Sequence, residues 1–378
     1  MESESLSIAC LIHSLNGGGA ERVMAGLVSR LAGRGHRVTL ITFSHPDTDR
    51  YPVDESVERV TLGLTDAPAS PLFRLAGVFR RHAAIRNAVQ SVTPQVLLSF
   101  CDRNNIDVLS ALRKGSLPVI VCERSDPAKL SLGWIRNRIR RQAYPRAAAV
   151  VALTESAARH LSEFCNNVQV IPSAVDTPPI SSARDSAAEN KLIVGVGRLE
   201  YEKGFDRLIE AFAAATLHHP SWRLALYGEG SQRADLQQQI AELGLHGRVE
   251  MHGWVRPLWE SLAQATIFCL PSRYEGFPSA LLEAMAVGVP SISVDCESGP
   301  RAIVRTGENG LLVDPSIEGL SEGIRRWIED PNERERIGLV GSGVIEEFGW
   351  ERMVDAYETL VRRTATQGMR GRRASDRT

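Results

Sequence analysis

Two short stretches carry the residues best suited to chemistry. Residues 197 to 204 read Gly-Arg-Leu-Glu-Tyr-Glu-Lys-Gly, setting Arg198 and Lys203 in a glycine-bounded loop. Residues 275 to 283 read Glu-Gly-Phe-Pro-Ser-Ala-Leu-Leu-Glu, with glutamates eight positions apart. Arginine grips phosphate oxygens through two parallel hydrogen bonds, and lysine adds a movable point charge. Arg198 and Lys203 therefore suit a diphosphate. Carboxylates accept hydrogen bonds from hydroxyls, so Glu275 and Glu283 suit a polyol. A nucleotide sugar offers both a diphosphate and a row of hydroxyls.

The surrounding sequence must hold these groups in place. Lys191-Leu-Ile-Val-Gly-Val-Gly197 is an apolar run that reads as a buried parallel strand. Arg198 and Lys203 then lie past its carboxyl end, where open α/β sheets bind ligands. Thr266-Ile-Phe-Cys-Leu270 reads as a second buried strand, followed by a loop through Glu275, Gly276 and Phe277. Pro278 can open a helix, since its missing N–H is not needed there. Glu283 is the one charge inside the apolar helical run that follows. A carboxylate there needs a partner, and either ribose hydroxyls or a structural arginine would serve. The helix end near Ser279 offers free backbone N–H groups and a positive dipole end. The plain alternative for the loops is two solvated cations and an ordinary loop acid.

Other constellations are weaker. Asn16-Gly-Gly18-Gly19 precedes a helix carrying Glu21 and Arg22, and glycines let a backbone approach a ligand closely; a tight turn with no ligand is the alternative. Glu123 and Arg124 end the apolar run Leu-Pro-Val-Ile-Val-Cys. They suit acceptor positioning, or a Glu–Arg pair that merely fixes the loop. Asp47-Thr-Asp49 has the spacing of a metal-binding pair but sits in a turn-like segment, and reads as a solvated loop. His13 and His252 lack metal-spaced partners; His252 lines a base pocket or satisfies a local hydrogen bond. Gly195-x-Gly197 and Gly228-x-Gly230 lack the third glycine of a dinucleotide fingerprint. Trp134-Ile-Arg-Asn-Arg-Ile-Arg-Arg141 interleaves arginines with apolar residues, and suits either a membrane-surface helix or a core-facing one with its arginines in water.

Across the 378 residues, apolar runs alternate with helical periods twice over. Strands are expected at 6–13, 36–43, 95–100, 117–122 and 148–153, and helices at 20–33, 72–91 and 154–165. After a polar stretch at 177–190, strands are expected at 191–197, 223–228, 248–252, 266–270 and 290–294, and helices at 205–217, 231–243 and 279–287. Both halves thus read as doubly wound parallel sheets. A final helix is expected near 344–362, with a disordered basic tail from 364. Six scattered cysteines lack metal-ligand spacing and read as buried thiols of a reducing cytoplasm. No apolar run approaches the roughly 20 residues that cross a bilayer, and the acidic start lacks a signal-peptide pattern. The net charge of −1 hides an asymmetry. Residues 1–175 carry 21 Lys and Arg against 15 Asp and Glu, and the remainder carries 23 against 30. The first half is suited to an acidic partner, such as lipid headgroups or an anionic acceptor.

The paired loops resemble those of the retaining glycosyltransferases of family 4, which have the GT-B fold. The likeness spans nearly the whole chain. Asn16-Gly-Gly-Gly-Ala-Glu-Arg22 resembles the family's glycine-rich loop, and His252-Gly-Trp-Val255 its nucleobase loop. Cys122-Glu-Arg-Ser-Asp-Pro127 is similar to a segment of glycan-assembly members. Ile171-Pro-Ser-Ala-Val-Asp176 departs from the family at Ser173-Ala174, where Asn-Gly is usual. The resemblance implies two Rossmann-like domains, 1–176 and 191–343, with an interdomain cleft, and a 344–363 helix that crosses back to the first. It implies a hexosyltransferase acting with retention and without metal or other cofactor. Donor contacts fall on Gly18, Gly19, Arg198, Lys203, His252, Val255, Glu275, Gly276, Phe277, Pro278, Ser279 and Glu283. Catalysis falls on Arg198, Lys203 and Glu275, and acceptor contacts on Glu21, Glu123 and Arg124. The partners implied are a nucleotide-sugar donor, UDP favoured over GDP, and a glycan or polyprenyl-linked glycan acceptor at an anionic membrane surface; nucleic acid is not expected. A non-catalytic sugar-nucleotide-binding protein and a nucleotide-sugar epimerase are the alternatives.

Overall fold

The structure is a computed structural model that describes residues 4–64, 71–129, 133–179 and 190–375. Most of the expected 177–190 linker lies outside the described residues. The chain folds as two compact units, Met1–Ser173 with Glu351–Thr378, and Ala174–Trp350.

The first unit runs β1 (Ser7–Ile12), α1 (Gly19–Gly33), β2 (Arg37–Thr42), β3 (Glu58–Thr61), α2 (Pro71–Val92), β4 (Val96–Phe100), α3 (Asp102–Ala111), β5 (Val119–Cys122), α4 (Trp134–Ala143), β6 (Ala149–Ala152), α5 (Glu155–Ser162) and β7 (Val168–Val170). Its parallel sheet has the order β3-β2-β1-β4-β5-β6-β7. Strand β1 is buried at every position, as a sheet covered on both faces requires of an unbroken apolar run. The order reverses between β1 and β4, so the loop through Gly17 and Gly18 departs from the switch point.

The second unit runs β8 (Leu192–Val196), α6 (Phe205–Ala215), β9 (Arg223–Tyr227), α7 (Arg233–Glu242), β10 (Val249–Gly253), α8 (Trp259–Ala263), β11 (Ile267–Leu270), α9 (Ser279–Ala286), β12 (Ser291–Val294), β13 (Leu311–Val313), α10 (Ile317–Glu329), α11 (Pro331–Gly341) and α12 (Val344–Glu347). Its sheet is β10-β9-β8-β11-β12-β13, again parallel. Phe205, Leu208 and Phe212 of α6 pack with Ile324 and Trp327 of α10 in its core. Here the order reverses between β8 and β11. Those are the two strands that deliver the Arg198–Lys203 and Glu275 loops.

The expected final helix is two. Helix α12 ends at Glu347, and α13 (Trp350–Ser375) follows. Residues 364–375, expected to be disordered, continue α13. The helix is tied to the first unit through carboxylates. Arg34 reaches Glu351, Asp355 and Glu358 at 2.7, 2.6 and 2.8 Å, and Tyr357 lies against Phe100. Burial pushes the Glu358 carboxyl up, but hydrogen bonds from Arg34, Arg362 and His36 outweigh it and hold the group at about 2. A carboxylate depressed in the folded state stabilises above its unfolded value, near 4.5, and stops doing so as pH falls through about 2. Glu358→Gln should therefore lower the melting temperature at pH 7. The gap to wild type should close as the pH drops below about 4.5; thermal melts across pH 3 to 7 check this.

Candidate functional site

The two loops at the second unit's switch point are stitched together by backbone and arginine contacts. After β8, a one-turn 3-10 helix, Tyr201–Lys203, ends on Gly204, whose φ of 67° is left-handed. A Cβ at Gly204 would collide with the Pro271 carbonyl oxygen, so glycine is what lets the loops touch. Arg207 donates to that same oxygen at 2.7 Å. Arg273 makes two bonds to Asp206, at 2.9 and 2.6 Å, while lying over the Tyr201 ring. The glycine pairs at 195–197 and 228–230 also have a local purpose. A Cβ on Gly228 or Gly230 would strike the carbonyl of Gly197 or Leu199, so these glycines let the ends of β8 and β9 close on each other.

Within this frame, charges meet in pairs. The Lys203 Nζ stands 2.6 Å from Glu275 Oε1, and the Ser272 hydroxyl donates to the same oxygen at 2.7 Å. Glu275 is 8% exposed. Arg198, by contrast, is 68% exposed and pairs with Glu202 at 2.7 Å. Glu283, on α9, is 1% exposed, and its Oε2 lies 2.9 Å from Arg256 Nη1. An arginine thus accounts for the burial of Glu283, which by itself does not require a ribose. Arg256 was absent from the expected set. The available signal is its place next to Val255, in the loop that follows His252 and β10.

Two donor-loop residues are held by packing at the start of α9. Pro278 caps α9 from the position before its first turn, so the helix opens at Ser279. Phe277 is buried edge-on against Phe348, with ring centroids 5.4 Å apart, and serves packing. Gly276, Ser279 and Val255 are partly exposed. The His252 ring is stacked on Tyr227 at 4.9 Å and lies 3.2 Å from Glu250.

In the first unit, Gly18 precedes α1, and the Glu21 carboxylate folds back over it, in the space a Cβ on Gly18 would fill. Gly19 and Glu21 lie at the accessible surface of that turn. Glu123 does not: it is 1% exposed, accepts a 2.6 Å hydrogen bond from the Tyr144 hydroxyl and has Arg140 Nη1 at 3.9 Å. Burial pushes its carboxyl up to about 7, against the Tyr144 hydrogen bond. With both partners inside the unit, Glu123 fixes the loop, the alternative the sequence offered, but with Tyr144 and Arg140 as its partners. Nor is Arg124 the partner of Glu123. Its Nη2 donates to the Ser173 hydroxyl at 2.6 Å, and its guanidinium lies over Phe100. Ser173, where the chain departs from the family pattern, thereby gains a role. Asp47 and Asp49 part company: Asp49 pairs with Arg59 at 2.6 Å, while Asp47 is exposed beside His45.

Helix α4 reverses one of its two expected orientations. Trp134 and Ile135 are 76% and 59% exposed, and Ile139 is exposed too, whereas Arg140 is buried and donates to the Pro127 carbonyl.

Two doubly wound parallel units in one chain, each with a switch point in its sheet, have the architecture of the GT-B fold. Solved structures agree. Sucrose-phosphate synthase from Thermosynechococcus elongatus superimposes with a TM-score of 0.81 at 21% identity, covering 94% of this chain and 98% of that one. The Anabaena protein HepE, solved with UDP and glucose, gives 0.78 at 21%, covering 94% and 99%. The family model described as Glycosyltransferase Family 4 matches residues 17–178, and that described as Glycosyl transferases group 1 matches residues 176–340. The chain is a GT-B glycosyltransferase, with a Family 4 domain followed by a group 1 domain. Among curated relatives, a Campylobacter jejuni undecaprenol-linked-glycan α-1,4-N-acetyl-D-galactosaminyltransferase is 28% identical over 88% of this chain and 91% of its own length. An exopolysaccharide phosphotransferase of Streptomyces coelicolor is 40% identical over 49% of this chain, which spans only 20% of that protein. The Rhizobium meliloti lipopolysaccharide core glycosyltransferase LpsE is 33% identical over 54% of this chain and 57% of its own length.

Proposed function

We propose that the protein moves a hexose or N-acetylhexosamine from a nucleotide sugar, UDP-linked in preference to GDP-linked, to a glycan or lipid-linked glycan, with retention and without a metal. The observation that carries this reading is the meeting of Lys203 and Glu275 at the switch point of the second sheet, with Arg198 on the same loop as Lys203. A cation set for a diphosphate and a carboxylate set for a sugar are thereby neighbours. Arg198 and Lys203 neutralise the diphosphate as it leaves, and the Ser279 end of α9 assists; preorganised charge aimed at a leaving group is commonly the largest catalytic contribution. Glu275 contacts the hexose. Glu283, its charge balanced by Arg256, holds the ribose, and the His252–Val255 loop meets the base. Gly18, Gly19 and Glu21, at the carboxyl edge of the first sheet, serve phosphate or acceptor. The names of the Campylobacter, Rhizobium and Anabaena proteins, with their lipid-linked or lipopolysaccharide acceptors and bound UDP, support the substrate classes.

Changing Arg198 or Lys203 to alanine removes a charge-assisted contact worth about 1.5–3 kcal/mol. Calorimetry should show UDP binding weakened by roughly tenfold or more, and uridine binding nearly unchanged. Equal losses for the two ligands would count against a diphosphate role.

The acceptor reading extends to the membrane. Exposed Trp134, Ile135 and Ile139 share α4 with Arg136, Arg138 and Arg141, a combination that suits an anionic bilayer surface. Arg140 faces inward and takes no part. Cosedimentation with phosphatidylglycerol vesicles should be strong at low salt, weak at high salt, and reduced by replacing Arg136, Arg138 and Arg141 with glutamine. No binding at low salt would remove the membrane from the account and leave the transfer reaction standing.

A further inference from the structure

We propose that Ser272 is a positioning residue for transfer: it holds one oxygen of Glu275 so that the other faces the sugar, and keeps that hold when the donor's diphosphate takes Lys203. The inference rests on the reading of Glu275 as the hexose contact.

The geometry of the carboxylate is unequal. Oε1 receives both the Lys203 ammonium, at 2.6 Å, and the Ser272 hydroxyl, at 2.7 Å. Among the described residues Oε2 accepts no hydrogen bond. A carboxylate has room for about four donors, and an enclosed one loses stability when its acceptor sites stay empty. Oε2 is not among the buried oxygens left without a partner, so it reaches the surface, where its open acceptor positions can take a sugar hydroxyl.

The support beneath Ser272 is rigid. Its side chain is buried, and its carbonyl oxygen accepts from the Cys296 thiol at 3.1 Å. On the other side stands Gly299, in the left-handed region at φ 77°. A Cβ there would come within 3.0 Å of Glu275 Cβ and 3.1 Å of its carbonyl oxygen. Gly299 thus lets the backbone pack closely on the root of the Glu275 side chain, while the Ser272 hydroxyl holds its carboxylate.

Lys203 is the one mobile member. In the free protein it neutralises Glu275, and its ammonium sits on a flexible four-carbon stem. A diphosphate carries more charge than a carboxylate and draws the ammonium away. Without a second donor, Glu275 would then be released to solvent or to a new rotamer just when the hexose needs it. Ser272 is buried, neutral and only three residues from Glu275, so it stays.

The test compares Ser272→Ala, Ser272→Thr and Glu275→Ala, using whichever of UDP-glucose, UDP-galactose, UDP-N-acetylglucosamine and UDP-N-acetylgalactosamine most stabilises the wild type. UDP affinity is measured by calorimetry, and turnover as UDP release in the presence of bacterial membranes. Ser272→Ala should lower kcat by about tenfold or more while UDP affinity changes less than about twofold. Ser272→Thr, which keeps the hydroxyl, should recover most of the loss. Wild-type kcat in Ser272→Ala, alongside a clear loss in Glu275→Ala, would overturn this inference alone. Parallel loss of UDP affinity and kcat in Ser272→Ala would also overturn it, since the hydroxyl would then be building the loop. Wild-type turnover in Glu275→Ala would instead sink the underlying reading of the site.

Discussion

Glu275 and Glu283 are carboxylates withdrawn from water within one loop-and-helix segment, and each is tolerated because a cation from another loop meets it. An uncompensated buried charge costs several kcal/mol. Lys203 and Arg256 must therefore arrive at fixed positions, and much of the second unit is arranged to bring them there. Strands β8 and β11 adjoin at the switch point, so the loop bearing Lys203 and the loop bearing Glu275 leave the sheet side by side. Gly204 removes the Cβ that would hold them apart, and Arg207 and Arg273 bind the two loops along their length. Arg256 arrives from the loop after β10, on the far side of β9. The same pairing keeps together the groups proposed to meet a nucleotide sugar.

The two units solve a similar topological problem differently. In the second, the loops at the switch point carry partnered charges with open acceptor positions. In the first, the turn through Gly18 is overlaid by a carboxylate, Glu21, and Glu123 is drawn inward to Tyr144 and Arg140. Arg140 thereby anchors α4 from beneath, which leaves Trp134 and Ile135 outward. The outward apolar face is a consequence of which arginine finds the buried glutamate.

Much of the frame was legible in the sequence, because central strands such as Leu192–Val196 and Ile267–Leu270 are unbroken apolar runs that only a covered parallel sheet explains. Of the four edge strands only Val249–Gly253 was; the other three were not. Glu58–Thr61 is half exposed, and Val168–Val170 and Leu311–Val313 are three residues long, too short to form a run. Helix α3 escaped notice because its first turn is polar: Asn104 and Asn105 are buried and spend their amides on the Phe100 and Cys122 carbonyls. At the candidate site, residue types single out Lys203 and Glu275, which the structure pairs at 2.6 Å, and Glu283, which it buries. Partnerships across the sheet left no such trace. Arg256 meets Glu283 across 27 positions and Arg273 meets Asp206 across 67, which only the fold decides. Nor does the spacing tell which partners a buried glutamate takes: Glu123 turns to Tyr144 and Arg140, and Glu275 to Lys203 and Ser272.

The central claim, that the paired loops of the second unit bind the nucleotide part of a donor, is tested most directly by hydrogen–deuterium exchange with and without saturating UDP, repeated with GDP. Binding of either nucleotide should slow exchange in peptides spanning 197–204, 252–256 and 271–283, where the amides near Lys203, Val255 and Ser279 lie. Protection confined to other segments, or no protection by either nucleotide, would contradict the account.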